Sequence, residues 1–281
     1  MTLGIIGLGL MGGSLALAAR PTGIFTRIVG YDKARAHTDY AKQSGMIDDT
    51  PTIDLLLRAS DLIVLAMPVE SIVSFAPELT SANKNAIICD LGSTKTAIEA
   101  AITPSIRERF VLAHPMAGTE YSGPKAAFAS LYADRIVVLC NTESNSQAAL
   151  SLIKQLFSAI GMRIMLMNAK EHDRHAAFIS HLPHAISYAL ANSVLKQEDK
   201  QSILTLAAGG FRDMSRLAKS QSTIWIDIFK QNKTEILAAL DVFNHEITAA
   251  KTLLTNKEWD TLEEWMRNAN ALHEIFKPAG E

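Results

Sequence analysis

Residues 4 to 14 read Gly4-Ile5-Ile6-Gly7-Leu8-Gly9-Leu10-Met11-Gly12-Gly13-Ser14, and the chain runs on to Ile28-Val29-Gly30-Tyr31-Asp32. A short apolar strand leads into Gly7, Gly9 and Gly12, the spacing at which a strand turns sharply and opens a helix beneath a pyrophosphate. In that pattern Gly7 permits the turn, Gly9 keeps the backbone bare where phosphates approach, and Gly12 lets the helix pack on the strand. Leu8, Leu10 and Met11 complete the turn, and the free N–H groups of the helix start face the anion. Glycines alone are a weak signal. The second apolar run makes it stronger, because it ends in Asp32, where a carboxylate accepts hydrogen bonds from the adenosine ribose. The same charge repels a ribose 2′-phosphate and so favours NAD over NADP, with Lys33 and Arg35 close enough to soften the effect. Leu3 to Ala19 is apolar enough to resemble a secretory leader, but no basic flank precedes it and the glycines interrupt it.

The chain has 281 residues, 48% of them hydrophobic, which is enough for two domains with buried cores. A formal charge of −2 gives no general basic field for nucleic acid, so an anionic ligand has to be held by local cations. Cys89 and Cys140 each end an apolar run, which predicts buried thiols at strand ends and a reducing compartment. No other uninterrupted apolar stretch reaches the roughly 20 residues of a bilayer span. A cytoplasmic protein that binds neither membrane nor nucleic acid is expected.

Further along, Leu62 to Ala66 is the continuous apolar run of a strand covered on both faces, and Pro68 turns the chain over the sheet edge where open α/β folds bind ligands. Strands at 86–89 and 110–113, with helices between, continue the alternation into a parallel doubly wound sheet, a Rossmann-type α/β domain over residues 1–168. Strands at 135–139 and 163–167 extend one edge. From 169 to 281 the periodicity is helical throughout: 170–196, 199–208, 223–230, 233–254 and 258–268. The first of these helices carries Ala177, His181, His184, Tyr188 and Ala191 on one stripe, and its apolarity predicts burial on most sides and a place in a dimer interface.

Three polar clusters lie where a ligand on the Gly-rich turn is within reach. In Asp90-Leu91-Gly92-Ser93-Thr94-Lys95, Ser93 is a hydrogen-bond partner for that ligand or a cap for the next helix. In Ala113-His114-Pro115-Met116-Ala117-Gly118-Thr119-Glu120, His114 stands at the end of a sheet strand, and an imidazole is the natural base for a hydroxyl proton lost during hydride transfer. A structural histidine is the alternative. The third cluster joins Ser180-His181-Leu182-Pro183-His184 to Gly209-Gly210-Phe211-Arg212-Asp213-Met214-Ser215-Arg216 and Trp225. Paired glycines followed by Arg212, Arg216 and Lys219 read as a loop that delivers guanidinium groups to a carboxylate, or as a solvated charged loop. The pairs His172/His175 and His181/His184 fall on different helix faces without a Cys ligand, so no metal site is expected.

Together these clusters resemble the prephenate and arogenate dehydrogenase family of tyrosine biosynthesis, in order and over nearly the whole chain. The resemblance implies an NAD-dependent oxidative decarboxylase of prephenate, or of arogenate, with an all-helical domain that makes a homodimer. It implies His114 and Ser93 as catalytic residues, with Ser93 also touching the nicotinamide, and Arg216 on the side-chain carboxylate with His184 in the pocket. Thr119, Glu120, Gly210, Asp213 and Trp225 match positions near the substrate, Trp225 from across the dimer, and Gly7 to Gly12, Asp32 and Pro68 match the cofactor site. The chain ends after the helical domain, so inhibition by tyrosine is expected only at the active site. A β-hydroxyacid dehydrogenase shares the Gly-rich turn but calls for a catalytic lysine on a Gly-rich helix start, and the glycines are missing around Lys170. A non-catalytic NAD-sensing module has no use for a histidine and arginines converging on the ring.

Overall fold

The computed structural model describes residues 1–119 and 121–275. Seven strands, β1 Thr2–Ile6, β2 Arg27–Tyr31, β3 Leu62–Leu65, β4 Ile87–Asp90, β5 Phe110–Pro115, β6 Ile136–Cys140 and β7 Arg163–Met167, form one sheet in the order β2-β1-β3-β4-β5-β6-β7. Side chains alternate between two cores. Ile5, Leu62, Val64, Val111 and Leu139 face one side with Leu15, Ile153 and Phe157 from α1 (Leu10–Ala19) and α7 (Gln147–Ala159). Ile6, Ile63, Leu65, Ile88 and Leu112 face the other, with Leu56 and Leu57 from α3 (Ile53–Ala59), Ile72 from α4 (Val69–Phe75), Ile98 from α5 (Thr96–Ala101) and Ile106 from α6 (Pro104–Arg107). Burial on both faces explains why the central strands read as unbroken apolar runs. Each such side chain contributes about 1.5–3 kcal/mol. The polar helix α2 (Arg35–Gln43) follows β2.

One expectation is corrected. The sheet is not parallel throughout: β6 runs antiparallel to β5, with Ala113 opposite Leu139 and His114 opposite Val138. Among the described residues of 116–135 there are two short 3₁₀ turns, Pro124–Ala126 and Ala129–Tyr132, and no helix long enough to carry the chain back across the sheet. The returning loop instead braces the Gly-rich helix: the Tyr132 hydroxyl donates to the Met11 carbonyl at 2.7 Å, and Ser14 Oγ accepts from the Phe128 amide at 3.1 Å.

From residue 169 every described element is helical: α8 Ala169–Ala176, a π-helical turn Ala177–His181, α9 Leu182–Leu195, α10 Lys200–Thr205, α11 Gly209–Ser215, α12 Ser222–Gln231, α13 Lys233–Asn256 and α14 Trp259–Ile275. The helix expected over 170–196 is thus interrupted at its middle, and its burial fades after Ser187, so it is not enclosed on most sides in the single chain. Two compact units result, Met1–Lys233 and Thr234–Glu281. No described helix is long and apolar enough to cross a membrane. Both cysteines are free and buried.

Candidate active site

Parallel strands put their C-terminal ends on one edge, and the Gly-rich turn after β1, Asp32 after β2, Pro68 after β3, Ser93 after β4 and His114 at the end of β5 all belong to that edge. Gly7 has φ +97°, a conformation that other residues rarely adopt, and a Cβ on Gly12 would lie 1.9 Å from the Gly7 carbonyl oxygen. A Cβ on Gly9 meets no protein atom within 4 Å, so the turn leaves bare backbone beside open space at the N-terminus of α1. This is the cradle that a dinucleotide pyrophosphate fits. Leu8 turns its side chain into the core, and Leu10 and Met11 pack against it, so these three serve the turn through their backbone. Pro68 is exposed and caps α4.

Asp32 is already engaged. Its Oδ2 accepts from the Leu8 amide and its Oδ1 from the Ala34 amide, both at 2.8 Å, while His37 Nδ1 lies 3.3 Å from Oδ2. The carboxylate therefore braces the Gly-rich turn, with lone pairs left for a ribose hydroxyl.

His114 is the end of a buried hydrogen-bonded row. Its Nδ1 lies 2.8 Å from His172 Nε2, and His172 Nδ1 lies 2.8 Å from Asp173 Oδ1. Asp173 is held ionised, since hydrogen bonds from His172, Thr96 and Lys95 outweigh its desolvation and lower its pKa. A carboxylate only accepts, so His172 carries its proton on Nδ1, its Nε2 accepts from His114 Nδ1–H, and His114 Nε2 keeps a free lone pair. Burial holds the His114 pKa well below the ordinary imidazole value, helped by His172, Lys95 and His181. A neutral imidazole aimed by a neighbouring His-Asp pair is a base.

Ser93 sits half-buried in the loop after β4. The capping alternative for it is set aside, because the amides of Lys95 and Thr96 at the start of α5 donate to Asp173 at 2.7 and 2.8 Å. The hydroxyl is not spent on the helix end.

On the helical side, His184 donates from Nδ1 to the Ser180 carbonyl at 2.9 Å and stacks on Trp225 of its own chain, with ring centroids 3.4 Å apart. Trp225 also meets His181 edge-on at 6.1 Å. Burial lowers the His184 pKa, a backbone hydrogen bond to Ser180 opposes this, and the nearby Arg216 guanidinium lowers it further. Asn232 Nδ2 donates to the Asp173 carbonyl at 2.7 Å and to His181 Nδ1 at 3.1 Å, which ties the π turn to the relay. The expected Gly-Gly loop is instead the short helix α11 followed by a 3₁₀ turn, Arg216–Lys219, because a helix N-terminus tolerates Gly209 and Gly210 without a side-chain cap. Ser187 Oγ accepts from the Ala218 amide at 2.9 Å and Tyr188 donates to the Ser220 carbonyl at 3.2 Å, so α9 holds that turn in place.

The structure thus joins His181, Trp225 and His184 in one row of rings, with His181 close enough to His114, and Arg216 to His184, to lower the pKa of each. Thr119, Gly210, Arg212, Asp213 and Arg216 are exposed, and Glu120 lies outside the described residues. His172, which the sequence offers only as a metal ligand, commits its nitrogens to His114 and Asp173. Asp173, Asn232 and the Lys95–Asp90 pair were not assigned a role. The adjacent His-Asp pair just inside a helix start was the one signal that pointed to the relay.

Residues 15–166 match the family model described as "Prephenate dehydrogenase, nucleotide-binding domain", and residues 168–268 match "Prephenate dehydrogenase, dimerization domain". The cyclohexadienyl dehydrogenase of Zymomonas mobilis is 34% identical over 272 residues, covering 95% of this chain and 93% of that protein. A crystal structure of prephenate dehydrogenase from A. aeolicus, in complex with hydroxyphenyl propionate and NAD+, superposes with a TM-score of 0.92 at 29% identity, over 99% of this chain and 98% of that one. That of Synechocystis arogenate dehydrogenase does so with a TM-score of 0.83 at 27% identity, over 99% and 100% of the two chains. The chain belongs to the prephenate dehydrogenase family of oxidoreductases.

Proposed function

We propose that the chain catalyses the NAD-dependent oxidative decarboxylation of prephenate to 4-hydroxyphenylpyruvate, with His114 as base. The observation that carries this reading is the row from Asp173 through His172 to His114 Nδ1, which turns Nε2 outward as the acceptor at the C-terminal edge of a dinucleotide-binding sheet. The bare turn at Gly7, Gly9 and Gly12, with Asp32 beside it, holds NAD, which supplies a hydride acceptor. His114 takes the ring-hydroxyl proton on Nε2 as hydride departs from the same carbon, and the ring carboxylate leaves as CO₂ with its bonding pair retained in the new aromatic ring. Ser93 steadies the hydroxyl, Arg216 grips the side-chain carboxylate, and His184 and Trp225 form the wall between them. Thr119, Gly210 and Asp213, all exposed, line the mouth.

The helical part from residue 169 is the substrate and dimerisation domain of a cytoplasmic homodimer. Leu195, Leu206 and Ile226, all exposed in the single chain, support an interface there, and a monomeric mass at micromolar concentration would remove it. Similarity to an arogenate dehydrogenase favours a second reading, in which the side chain carries an amino group in place of the keto group. kcat/KM for both substrates with both cofactors decides between them. The highest value for prephenate with NAD is expected, and no NADH from either substrate would overturn both readings.

A further inference from the structure

Lys95 has no exposed surface, and neither does Asp90. The Lys95 ammonium donates to Asp90 Oδ2 and, at 2.6 Å, to the Ala113 carbonyl, the group immediately before His114. Asp90 in turn accepts from the Gly92 amide at 2.8 Å and the Ala113 amide at 3.3 Å. Removing both ions from water is costly, and apolar side chains of similar volume would fill the space more cheaply. The pair occupies a particular junction. From Lys95 Nζ the bonds run to Ala113, along the chain to His114, across to His172, on to Asp173, and back to the Lys95 amide, closing a ring. Lys95 enters that ring twice, through its ammonium and through its amide, and Asp90 ties the same loop to the Ala113 amide.

We propose that Lys95, paired with Asp90, is a positioning residue for the base: it locks the end of β5 to the loop carrying Ser93 and fixes a cation on the carbonyl that precedes His114. This rests on the assignment of His114 as base. The groups facing His114 are His172 from α8, His181 from the π turn and Lys95 from the β4–α5 loop, while Asp173 and Asp90 reach it through His172 and Lys95. Lys95 acts on His114 in the direction that disfavours the protonated ring. Its loss should therefore bring protonation to higher pH.

The test is the double variant Lys95→Met with Asp90→Asn, which removes both charges and leaves no lone ion in the core. With fold confirmed by circular dichroism, kcat should fall about 10-fold, KM for NAD should stay within about twofold, and the acid limb of kcat/KM should rise by about half a pH unit or more. Wild-type kcat with an unmoved limb would overturn the proposal, since a purely structural pair predicts that result. Should the double variant not fold, Asp90→Asn alone, nearly isosteric, decides. It leaves the ammonium unbalanced, so the limb should move to lower pH, and a limb that stays or rises contradicts the proposal. Full turnover in His114→Asn would instead sink the base assignment itself, an outcome that these two variants do not produce.

Discussion

His114 and Arg216, proposed for the two ends of the substrate, sit in two different kinds of surface. Around His114 nearly every polar atom is buried and spoken for: His172, Asp173, Lys95 and Asp90 are all below a tenth exposed and bonded to one another. Around Arg216 the side chains stand in solvent, held only through the backbone of a short turn pinned by Ser187 and Tyr188. The difference separates chemistry from recognition. A base must be oriented before the substrate arrives, which takes a dry and fully bonded surrounding, whereas a carboxylate clamp gains by staying hydrated until it is used.

Four substitutions and a pH profile sharpen or break that contrast, the largest effect falling on the base itself. His114→Asn should lower kcat by about 10²-fold or more with a modest change in KM, because it removes the base and not the binding site; steady-state kinetics read both. Asp173→Asn comes next, at about 10-fold to 10²-fold in kcat. An amide can donate to His172 Nδ1, reverse the tautomers along the row and put a proton on the nitrogen that must accept one. Melting curves should show the variant folded. Arg216→Ala belongs to the other surface and should mainly raise KM for prephenate, by about 30-fold, or about 2 kcal/mol, the low end for a charge-assisted pair because the guanidinium is exposed. If Arg216→Ala lowers kcat and leaves KM alone, the division between the two surfaces is wrong.

The pH profile follows from burial. A base whose folded pKa lies well below the ordinary imidazole value is already unprotonated where a free imidazole would be half charged. So kcat/KM should be flat down through about pH 6.5 and fall only in more acid solution. A limb at or above the free-imidazole value would mean that the row does not keep His114 neutral. The smallest effect is expected of Gly9→Ala, whose Cβ meets no protein atom and intrudes only on a bound dinucleotide, so KM for NAD should rise several-fold with the melting temperature unchanged.

Most of the sheet was legible because its physics is local. Apolar runs such as Leu62–Leu65 announce strands buried on both faces, and Gly7 to Gly12 state a backbone requirement in the residues themselves. The reversal at β6 was not legible, since nothing in residues 116–135 says which way the chain returns beyond the missing crossover helix. The relay was hidden for another reason. Its members come from the end of β5, from α8, from Asn232 just past α12 and from the loop after β4, brought together only by the packing of helices onto the sheet edge, and a histidine beside an aspartate looks in sequence like any polar helix turn. Helix α11 looks like a loop in sequence because paired glycines weaken a helix interior, though they cost little at its first turn.

The central claim is that His114 Nε2, aimed by His172 and Asp173, takes the substrate's hydroxyl proton. NADH formation from prephenate, followed by absorbance for the wild type and for His114→Asn side by side, tests it most directly. Steady NADH production by the wild type with a loss of about two orders of magnitude or more in the variant is the predicted result. Comparable rates from the two proteins, both folded and both binding NAD, would contradict it.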